Sequence, residues 1–244
     1  MKIALISDMH GHGIALESVL ADIQQRQVDQ IICLGDVATI GFQPQKTLAL
    51  IRSLGCLCLM GNHDAALLQP HRAADFQIAP AMLPSLEWCA QQLLAEDFAF
   101  IRTFQPLVEI PLGASDTMLC FHGSPRANTD VILATTPEAE LERLMNGRQA
   151  SIWAGGHTHV QMLRQHKGML IVNPGSVGSS FRSVYKPGHP PALNPWAEYA
   201  IVSWQPQELS VDCRRVRFDL KASREAIITS QVPNQEWWLA QYQI

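Results

Sequence analysis

The sequence of 244 residues contains no apolar run of about 18 residues, the length that a transmembrane helix needs. It also contains no long block of like charges, and its formal net charge is −4. These absences argue against a membrane-spanning protein and against an extended interface with nucleic acid, which requires a basic face. The first apolar run, residues 2–7, is too short for a signal peptide and is typical of a strand.

A disulfide framework is not indicated either. The six cysteines, at positions 33, 56, 58, 89, 120 and 213, lie mostly in apolar, strand-like segments. This pattern is typical of reduced, buried thiols, and it predicts a cytoplasmic protein. Cys56 and Cys58 could bind zinc, but their position in the run Cys-Leu-Cys-Leu-Met favours two neighbouring positions of a strand.

The length and composition are those of an ordinary globular protein. An apolar fraction of 47% and a length of 244 residues are enough to bury a sizeable core. No internal repeat or low-complexity tract divides the chain. We therefore predict a single domain over residues 1–244.

Three apolar runs in the first quarter of the chain each end in polar residues. The runs cover residues 2–7, 30–34 and 56–60, and helical spacing of apolar residues separates the first two. Because sites in open α/β sheets form beyond the carboxyl ends of the strands, we expect the polar side chains after these runs to converge. Those side chains are Asp8, His10, Asp36, Asn62, His63 and Asp64.

The second half of the chain repeats this arrangement. A predicted strand over residues 117–121 ends at His122, and another over residues 151–154 leads into Gly-Gly-His-Thr-His. A His-X-His pair alone is a weak signal, because it often lies on a surface without a role. On a tight loop after a strand, however, the rings of His157 and His159 can converge on one point, and imidazole is the commonest metal ligand.

The donor atoms of these five loops indicate metal binding. Oxygen and nitrogen donors suit divalent manganese, iron, zinc, cobalt or nickel, and the lack of a cysteine argues against a closed structural zinc site. The loops hold more ligands than one ion needs, whereas two ions bridged by one carboxylate would use all of them. Two metals about 3.5–4 Å apart can stabilise the attacking and leaving oxygens of an in-line displacement at phosphorus.

With these motifs in order, the sequence resembles the calcineurin-like metallophosphoesterase superfamily. It is most similar to the small bacterial and archaeal phosphodiesterase branch, which begins with Asp-X-His-Gly. The resemblance runs from residue 2 to residue 176, with weaker support to about residue 217. It implies a fold between the α+β and α/β classes, a four-layer α/β/β/α sandwich of two mixed sheets flanked by helices.

The resemblance also implies roles for individual residues. It implies two divalent ions per chain, the first held by Asp8, His10 and His159, the second by Asn62, His122 and His157, with Asp36 bridging both. A water or hydroxide between the ions would attack the phosphoester in line. His63 matches the general acid that protonates the leaving oxygen, and Asp64 would orient its ring.

Three further residues are candidates for substrate contact, each with a competing structural interpretation. His12 could touch substrate or merely begin the first helix, and Arg126 could hold a phosphate oxygen or lie on the surface. Arg182 belongs to residues 179–198, an insertion that follows the turn Asn-Pro-Gly-Ser and carries four prolines. Long loops of this kind are often functional, so we predict a semi-rigid flap that selects substrate, with a surface insertion without a role as the alternative.

The function that these residues predict is hydrolysis of a phosphoester, with a diester favoured over a monoester. The alternative enzyme is a phosphomonoesterase, such as a protein or nucleotide phosphatase. A non-catalytic, protein-binding scaffold of the same fold is a weaker alternative, because the acid and all seven ligand positions are present. The predicted partner is a small phosphoester, with nucleotides among the candidates. The oligomeric state and the native metal, manganese included, are left open.

Overall fold

The structure, a computed structural model, describes residues 1–186, 189 and 191–242. Its strands form two five-stranded sheets. In chain order the strands are β1 Lys2–Ile6, β2 Gln30–Cys33, β3 Leu57–Cys58, β4 Val108–Pro111, β5 Thr117–Cys120, β6 Ile152–Ala154, β7 Met162–His166, β8 Met169–Asn173, β9 Ala197–Gln205 and β10 Glu208–Val216. The α-helices are α1 Gly13–Gln24, α2 Pro44–Leu54, α3 Asn62–Leu68, α4 Leu83–Gln92, α5 Ala95–Ile101, α6 Glu138–Met145, α7 Leu220–Ser230 and α8 Gln235–Gln241.

Both sheets combine parallel and antiparallel pairs. The first has the strand order β10-β9-β1-β2-β3, with β1, β2 and β3 parallel and β9 and β10 antiparallel. The second has the order β4-β5-β6-β8-β7, with β5, β6 and β8 parallel. In both sheets the central parallel strands therefore deliver the loops that follow them to the same edge.

Strand β1 shows why the sheets lie in the middle of the molecule. Successive side chains of a strand point to opposite faces, and four consecutive residues of β1 are fully buried. Ala4 and Ile6 belong to the core that the helices cover, whereas Ile3 and Leu5 belong to the core between the sheets. A near-continuous apolar run is what a strand covered on both faces requires.

The second sheet is covered in the same way. Its residues Met118 and Ile152 pack into the core between the sheets, and Leu119 and Trp153 pack on the opposite side. There they meet Leu141 and its neighbours on helix α6. The order of layers is therefore helices, sheet, sheet and helix, which confirms the predicted four-layer sandwich of two mixed sheets.

Several elements differ from the sequence-based expectations. Strand β3 is only two residues long, shorter than the predicted 56–60, and the polar motif after it begins helix α3 instead of remaining a loop. Strand β7 was not predicted, because it is an edge strand whose residues alternate between buried and exposed and lack an apolar run.

Helix length also bears on the membrane question. In the part of the chain that the structure describes, no helix is both long enough and apolar enough to cross a bilayer. Residues 179–196 of the predicted insertion lie between β8 and β9 and contain no helix or strand among those described, whereas residues 197 and 198 begin β9. Two of its four prolines, Pro187 and Pro190, lie outside the described residues.

Candidate metal centre

The loops that carry the predicted ligands share an unusual backbone conformation. Left-handed φ values are uncommon outside glycine and cluster at functional sites, where the surrounding structure holds the strained residue in place. Five of the seven predicted ligands have such values: Asp8 at 55°, His10 at 46°, Asp36 at 57°, His157 at 68° and His159 at 58°.

Backbone hydrogen bonds tie these loops together across the edge of both sheets. The amide of Asp8 donates to the carbonyl of Gly35 over 3.0 Å, and the amide of His10 donates to the carbonyl of Asp36 over 3.0 Å. The turn after β8 joins them, because the hydroxyl of Ser176 donates to the carbonyl of Asp8 over 2.7 Å. The loops after β1, β2 and β8 are therefore joined to one another at the carboxyl ends of the strands.

The seven predicted ligands converge in space. Three groups of side chains place their donor atoms within 4.8 Å of one another. These groups are Asp8, His10 and His159; Asp36, His122 and His157; and His10, Asp36 and His63. The first two reproduce the side chains other than Asn62 that the resemblance assigns to the two ions, and the third links them through Asp36.

Each of the two carboxylates, Asp8 and Asp36, keeps one oxygen free for a metal ion. Asp8 accepts the backbone N–H of His157 through Oδ2 over 3.0 Å, and Asp36 accepts the backbone N–H of His63 through Oδ1 over 2.9 Å. The remaining oxygens, Oδ1 of Asp8 and Oδ2 of Asp36, are buried and have no hydrogen-bond partner among the described residues. A buried charge without a partner is costly, so these oxygens suit a cation.

The histidine rings are oriented in the same sense. In three of them Nδ1 faces a backbone carbonyl, which fixes Nδ1 as the protonated nitrogen and leaves Nε2 as the ligand atom. These contacts are His10 to Thr39 at 2.6 Å, His122 to Leu34 at 2.7 Å and His159 to Ser179 at 2.8 Å. The Nε2 atoms of His10 and His159 then face each other at 3.0 Å, an arrangement of two lone pairs that a cation would satisfy.

Asp36 lies between the two groups. Its Oδ2 is 3.3 Å from Nε2 of His122 and 3.8 Å from Nε2 of His10. Asn62 completes the second group, since its Oδ1 is 3.2 Å from Nε2 of His122. The Nδ2 of Asn62 donates to the carbonyl of Phe76 over 2.9 Å, and this contact holds the amide oxygen towards the cluster.

The electrostatics of the cluster favour ionised carboxylates. Burial alone would raise the pKa of Asp36, but the neighbouring rings of His122 and His63 hold it well below its usual value. Burial lowers the pKa of His157 to about 4, which favours the neutral ring that binds metal. The pKa of His122 rises to about 10 despite its burial, because Asp36 and Asp8 attract a positive charge to this position.

His63 and Asp64 have different surroundings. The ring of His63 packs edge-on against His10, with centroids 4.9 Å apart, and its buried Nδ1 has no partner among the described residues. The carboxylate of Asp64 accepts the backbone N–H groups of Asp36, Val37 and Gly61 over 2.6, 2.9 and 3.1 Å. It therefore fixes the loop that carries Asp36, and no hydrogen bond joins it to the ring of His63 within the described chain, contrary to the expected orienting role.

The predicted substrate contacts lie elsewhere. His12 is fully buried, accepts the N–H of Ala15 over 3.1 Å as the cap of α1, and has its pKa lowered to about 3 by burial. Arg126 forms a two-pronged ion pair with Asp130 at 2.7 and 3.0 Å. The Nε of Arg182 donates to the carbonyl of Leu193 over 2.8 Å. Their role in substrate binding stays a prediction.

A cleft of about 420 Å³ opens over the cluster. His63 lies in its wall together with His10, Asp36 and His157. Aromatic side chains complete it: Tyr185 of the predicted flap, and Phe181 and Trp237, which the sequence did not single out as substrate contacts. The only signal for the last of these was the adjacent pair of tryptophans near the C-terminus, and nothing in the sequence places that pair beside motifs more than 170 residues earlier.

Comparisons with known proteins agree with this architecture. The model of the calcineurin-like phosphoesterase superfamily domain matches residues 1–186. An uncharacterized protein of Methanocaldococcus jannaschii is 26% identical over 250 residues, covering 96% of this chain and 94% of that protein. The solved structures include a metallophosphoesterase of Sphaerobacter thermophilus, with a TM-score of 0.75, 24% identity and coverage of 99% and 98% of the two chains.

A hypothetical protein of Pyrococcus horikoshii OT3 is also similar, with a TM-score of 0.81 and 18% identity. That alignment covers 99% of this chain and 98% of the other. At such identities the structural likeness establishes the fold, whereas the family model, which spans most of the chain, establishes the family. The chain belongs to the calcineurin-like phosphoesterase superfamily, and it is a hydrolase that acts on phosphoric ester bonds.

Proposed function

We propose that this enzyme is a phosphodiesterase that works with two divalent metal ions. The position of Asp36 carries the proposal, because its unpaired Oδ2 lies within 4 Å of histidine nitrogens from both ligand groups. A single carboxylate oxygen shared in this way is what a two-metal site requires.

The residues present fit the two ions. Asp8, His10 and His159 would hold the first, Asn62, His122 and His157 the second, and Asp36 would bridge them. The fit rests on the two unpaired carboxylate oxygens and on the imidazoles whose Nδ1 atoms already face backbone carbonyls. When bound, such ions supply Lewis acidity at phosphorus and a lowered pKa of water. The donor set suits manganese, iron, zinc, cobalt or nickel.

The chain itself supplies the proton for the leaving group. His63 lies in the cleft wall, and its ring nitrogen Nδ1 has no hydrogen-bond partner among the described residues. Its backbone N–H is bonded to Asp36, so the first turn of α3 fixes the position of the ring relative to the cluster. We assign His63 the role of general acid at the leaving oxygen. Asp64 is then a positioning residue that holds the loop of Asp36.

The charge of the cleft favours a diester over a monoester. Within the described residues, neither arginine nor lysine lines the cleft. A monoester dianion carries a second negative charge that side-chain cations usually bind, whereas a diester carries only one. The ions at Asp36 would compensate that single charge. The substrate that fits best is therefore a small diester, with nucleotides among the candidates.

The cellular setting and the domain organisation belong to the same proposal. The described cysteines are unpaired thiols, most of them buried, which suits a reducing cytoplasm. The family model matches residues 1–186, and helices α7 and α8 pack on the core of the first sheet through Ile227 and Trp238. We therefore treat residues 1–244 as one domain.

The substitution Asp36→Asn tests the proposal. It keeps the size of the side chain but removes the charge shared by both groups. We expect the variant to hold less metal than the wild type after stripping and reloading, measured by elemental analysis. It should also lose hydrolysis of bis(p-nitrophenyl) phosphate, which the wild type should cleave in preference to p-nitrophenyl phosphate.

The matched control is Asp130→Asn, which removes an equally negative side chain outside the cluster. It should leave the metal content unchanged. Two tightly held ions and normal turnover in Asp36→Asn would refute the two-metal assignment. A wild-type preference for the monoester would refute the diesterase and leave a phosphomonoesterase.

A further inference from the structure

The rim of the cleft exposes apolar side chains beside a polar cluster. Val131, Val184 and Tyr185 line the cleft and are 48%, 44% and 43% exposed. Beyond the ligand cluster, most of the lining is aliphatic or aromatic. Exposure of apolar side chains to water is unfavourable. A group of such side chains around a functional site therefore marks a place where a ligand covers them.

Two chain segments far apart in sequence supply the aromatic side chains of this rim. Phe181 and Tyr185 come from the segment between β8 and β9, and Trp237 comes from helix α8. The two segments are bonded to each other, because the amide of Leu193 donates to Oε1 of Gln241 over 3.0 Å. The aromatic side chains are therefore held on one connected frame.

The segment between β8 and β9 is itself closed at its base. The amide of Arg182 donates to the carbonyl of Ala192 over 3.0 Å, and the amide of Asn194 donates to the carbonyl of Ser180 over 2.8 Å. Phe181 and Leu193 form an isolated antiparallel bridge between these contacts. A base fixed in this way positions Phe181 with little backbone entropy left to lose on binding.

The rings begin directly at the ligand cluster. Phe181 lies against the ring of His159, with centroids 4.3 Å apart and planes inclined by 36°, and the ring of Tyr185 follows at 6.4 Å. Trp237 packs edge-on against Trp238 at 4.8 Å, and Trp238 is 2% exposed. Trp237 is thus anchored by a buried neighbour while it remains half-buried at the cleft.

We propose that Trp237, Tyr185 and Phe181 form a subsite for a planar aromatic ring that is part of the substrate, next to the phosphate position. This proposal rests on the diesterase function proposed above and names its substrate class: a small diester that carries a nucleobase or an aryl group. Stacking on aromatic side chains needs no charge, which agrees with a lining free of lysine and arginine across the described residues. The volume of about 420 Å³ suits a ligand of this size.

Binding, measured without turnover, separates this proposal from the diesterase function. Titration calorimetry would compare AMP with ribose 5-phosphate, and phenyl phosphate with methyl phosphate. Both members of a pair carry the same phosphate group, so the contribution of its charge to binding cancels in the comparison. The difference in affinity then reports the ring. We expect at least one ring-bearing ligand to bind about tenfold more tightly than its partner, within the range for one base stacked on an aromatic side chain.

Variants identify the side chains responsible. Trp237→Ala and Tyr185→Ala should each reduce the preference for the ring-bearing ligand several-fold, and Trp237→Phe should retain most of it. Because Tyr185 is exposed, its removal spares the fold if Trp237→Ala is unstable. Leu209→Ala is the control, since Leu209 is 41% exposed and lies outside the cleft lining.

The outcomes distinguish the sources of the ring. A preference for AMP alone identifies a nucleobase, and one for phenyl phosphate alone identifies an aryl group. If neither pair differs, or if the preference persists in both Trp237→Ala and Tyr185→Ala, the subsite is refuted. If the metal-loaded wild type prefers the ring-bearing ligands but does not hydrolyse diesters, the diesterase function is refuted and the subsite is not.

Discussion

Gly61 offers a test of the metal centre in which none of the predicted ligands is itself substituted. A Cβ atom at this position would lie 2.0 Å from Oδ1 of Asp36 and 2.5 Å from the backbone nitrogen of Asp36. Ordinary contacts between carbon and other heavy atoms lie near 3.5 Å, so Gly61→Ala must move the Asp36 carboxylate by about 1 Å or more. That movement breaks the 2.9 Å hydrogen bond from the amide of His63 to Asp36.

The expected effect on function is large. A displacement of about 1 Å costs on the order of 10²-fold in rate, and even disturbed outer contacts of metal ligands cost about 10–100-fold in metal affinity. We therefore expect Gly61→Ala to lose at least tenfold in metal affinity and about 10²-fold in turnover of bis(p-nitrophenyl) phosphate. Metal titration followed by calorimetry and a steady-state assay would measure both. Overpacking should also lower the free energy of unfolding by about 1–3 kcal/mol.

Gly55→Ala provides the matched control. Gly55 ends helix α2 with φ of 58°, and an added Cβ atom meets no described atom within 4 Å. The left-handed backbone makes this alanine cost about 1 kcal/mol of stability, comparable to the loss in Gly61→Ala. Only Gly61→Ala should lose metal. Equal metal affinity in both variants would show that the position of the Asp36 carboxylate does not matter to the site.

Two further predictions concern a single side chain each. His63→Ala should keep its metal content and lose about 10²–10⁴-fold in turnover, with a smaller loss for esters that have good leaving groups; a fall in metal content would make His63 a ligand instead. Burial would raise the pKa of Asp22, but hydrogen bonds from Tyr199 and Arg214 lower it to about 2 from 3.8. A pKa that is lower in the folded state than in the unfolded state stabilises the fold above about pH 4. Asp22→Asn should therefore lower the free energy of unfolding by about 2 kcal/mol at pH 7, and this difference between wild type and variant should narrow as pH falls from about 4 towards 2. Urea unfolding of wild type and variant at pH 7 and at a pH between about 2 and 4 measures this difference. A difference that does not change with pH contradicts the lowered pKa of Asp22.

The convergence of the predicted ligands could be inferred from the sequence because its signal is local. Each follows directly on an apolar run of strand length, and Asp8 after β1 and Asp36 after β2 illustrate how the end of a strand fixes the place of the next residues. Parallel neighbours then bring these ends to one edge, as a general property of such sheets. The resemblance to a family added the grouping of ligands, and the third group, with His63, was not anticipated.

The role of Asp64 shows where local reasoning ended. In sequence it stands next to His63, which suggested that it orients that ring. In the fold, the two residues begin helix α3, and their side chains point in different directions from successive positions of its first turn. The carboxylate of Asp64 therefore accepts hydrogen bonds from the backbone N–H groups of Asp36 and Val37 and stabilises the loop that they form.

What the sequence by itself determined is the order of buried strands and the polar side chains that follow them, because apolar runs and the residues at strand ends are local properties. The sandwich of two sheets and the grouping of the predicted ligands were implied by the resemblance to a family. Tertiary structure alone decided the walls of the cleft. Trp237 reaches the cleft only because α8 packs on the first helical layer through Trp238, and His12 is buried against Phe42 for the same reason. Contacts between residues this far apart depend on how whole layers pack, and side-chain packing leaves no periodic signal in the sequence.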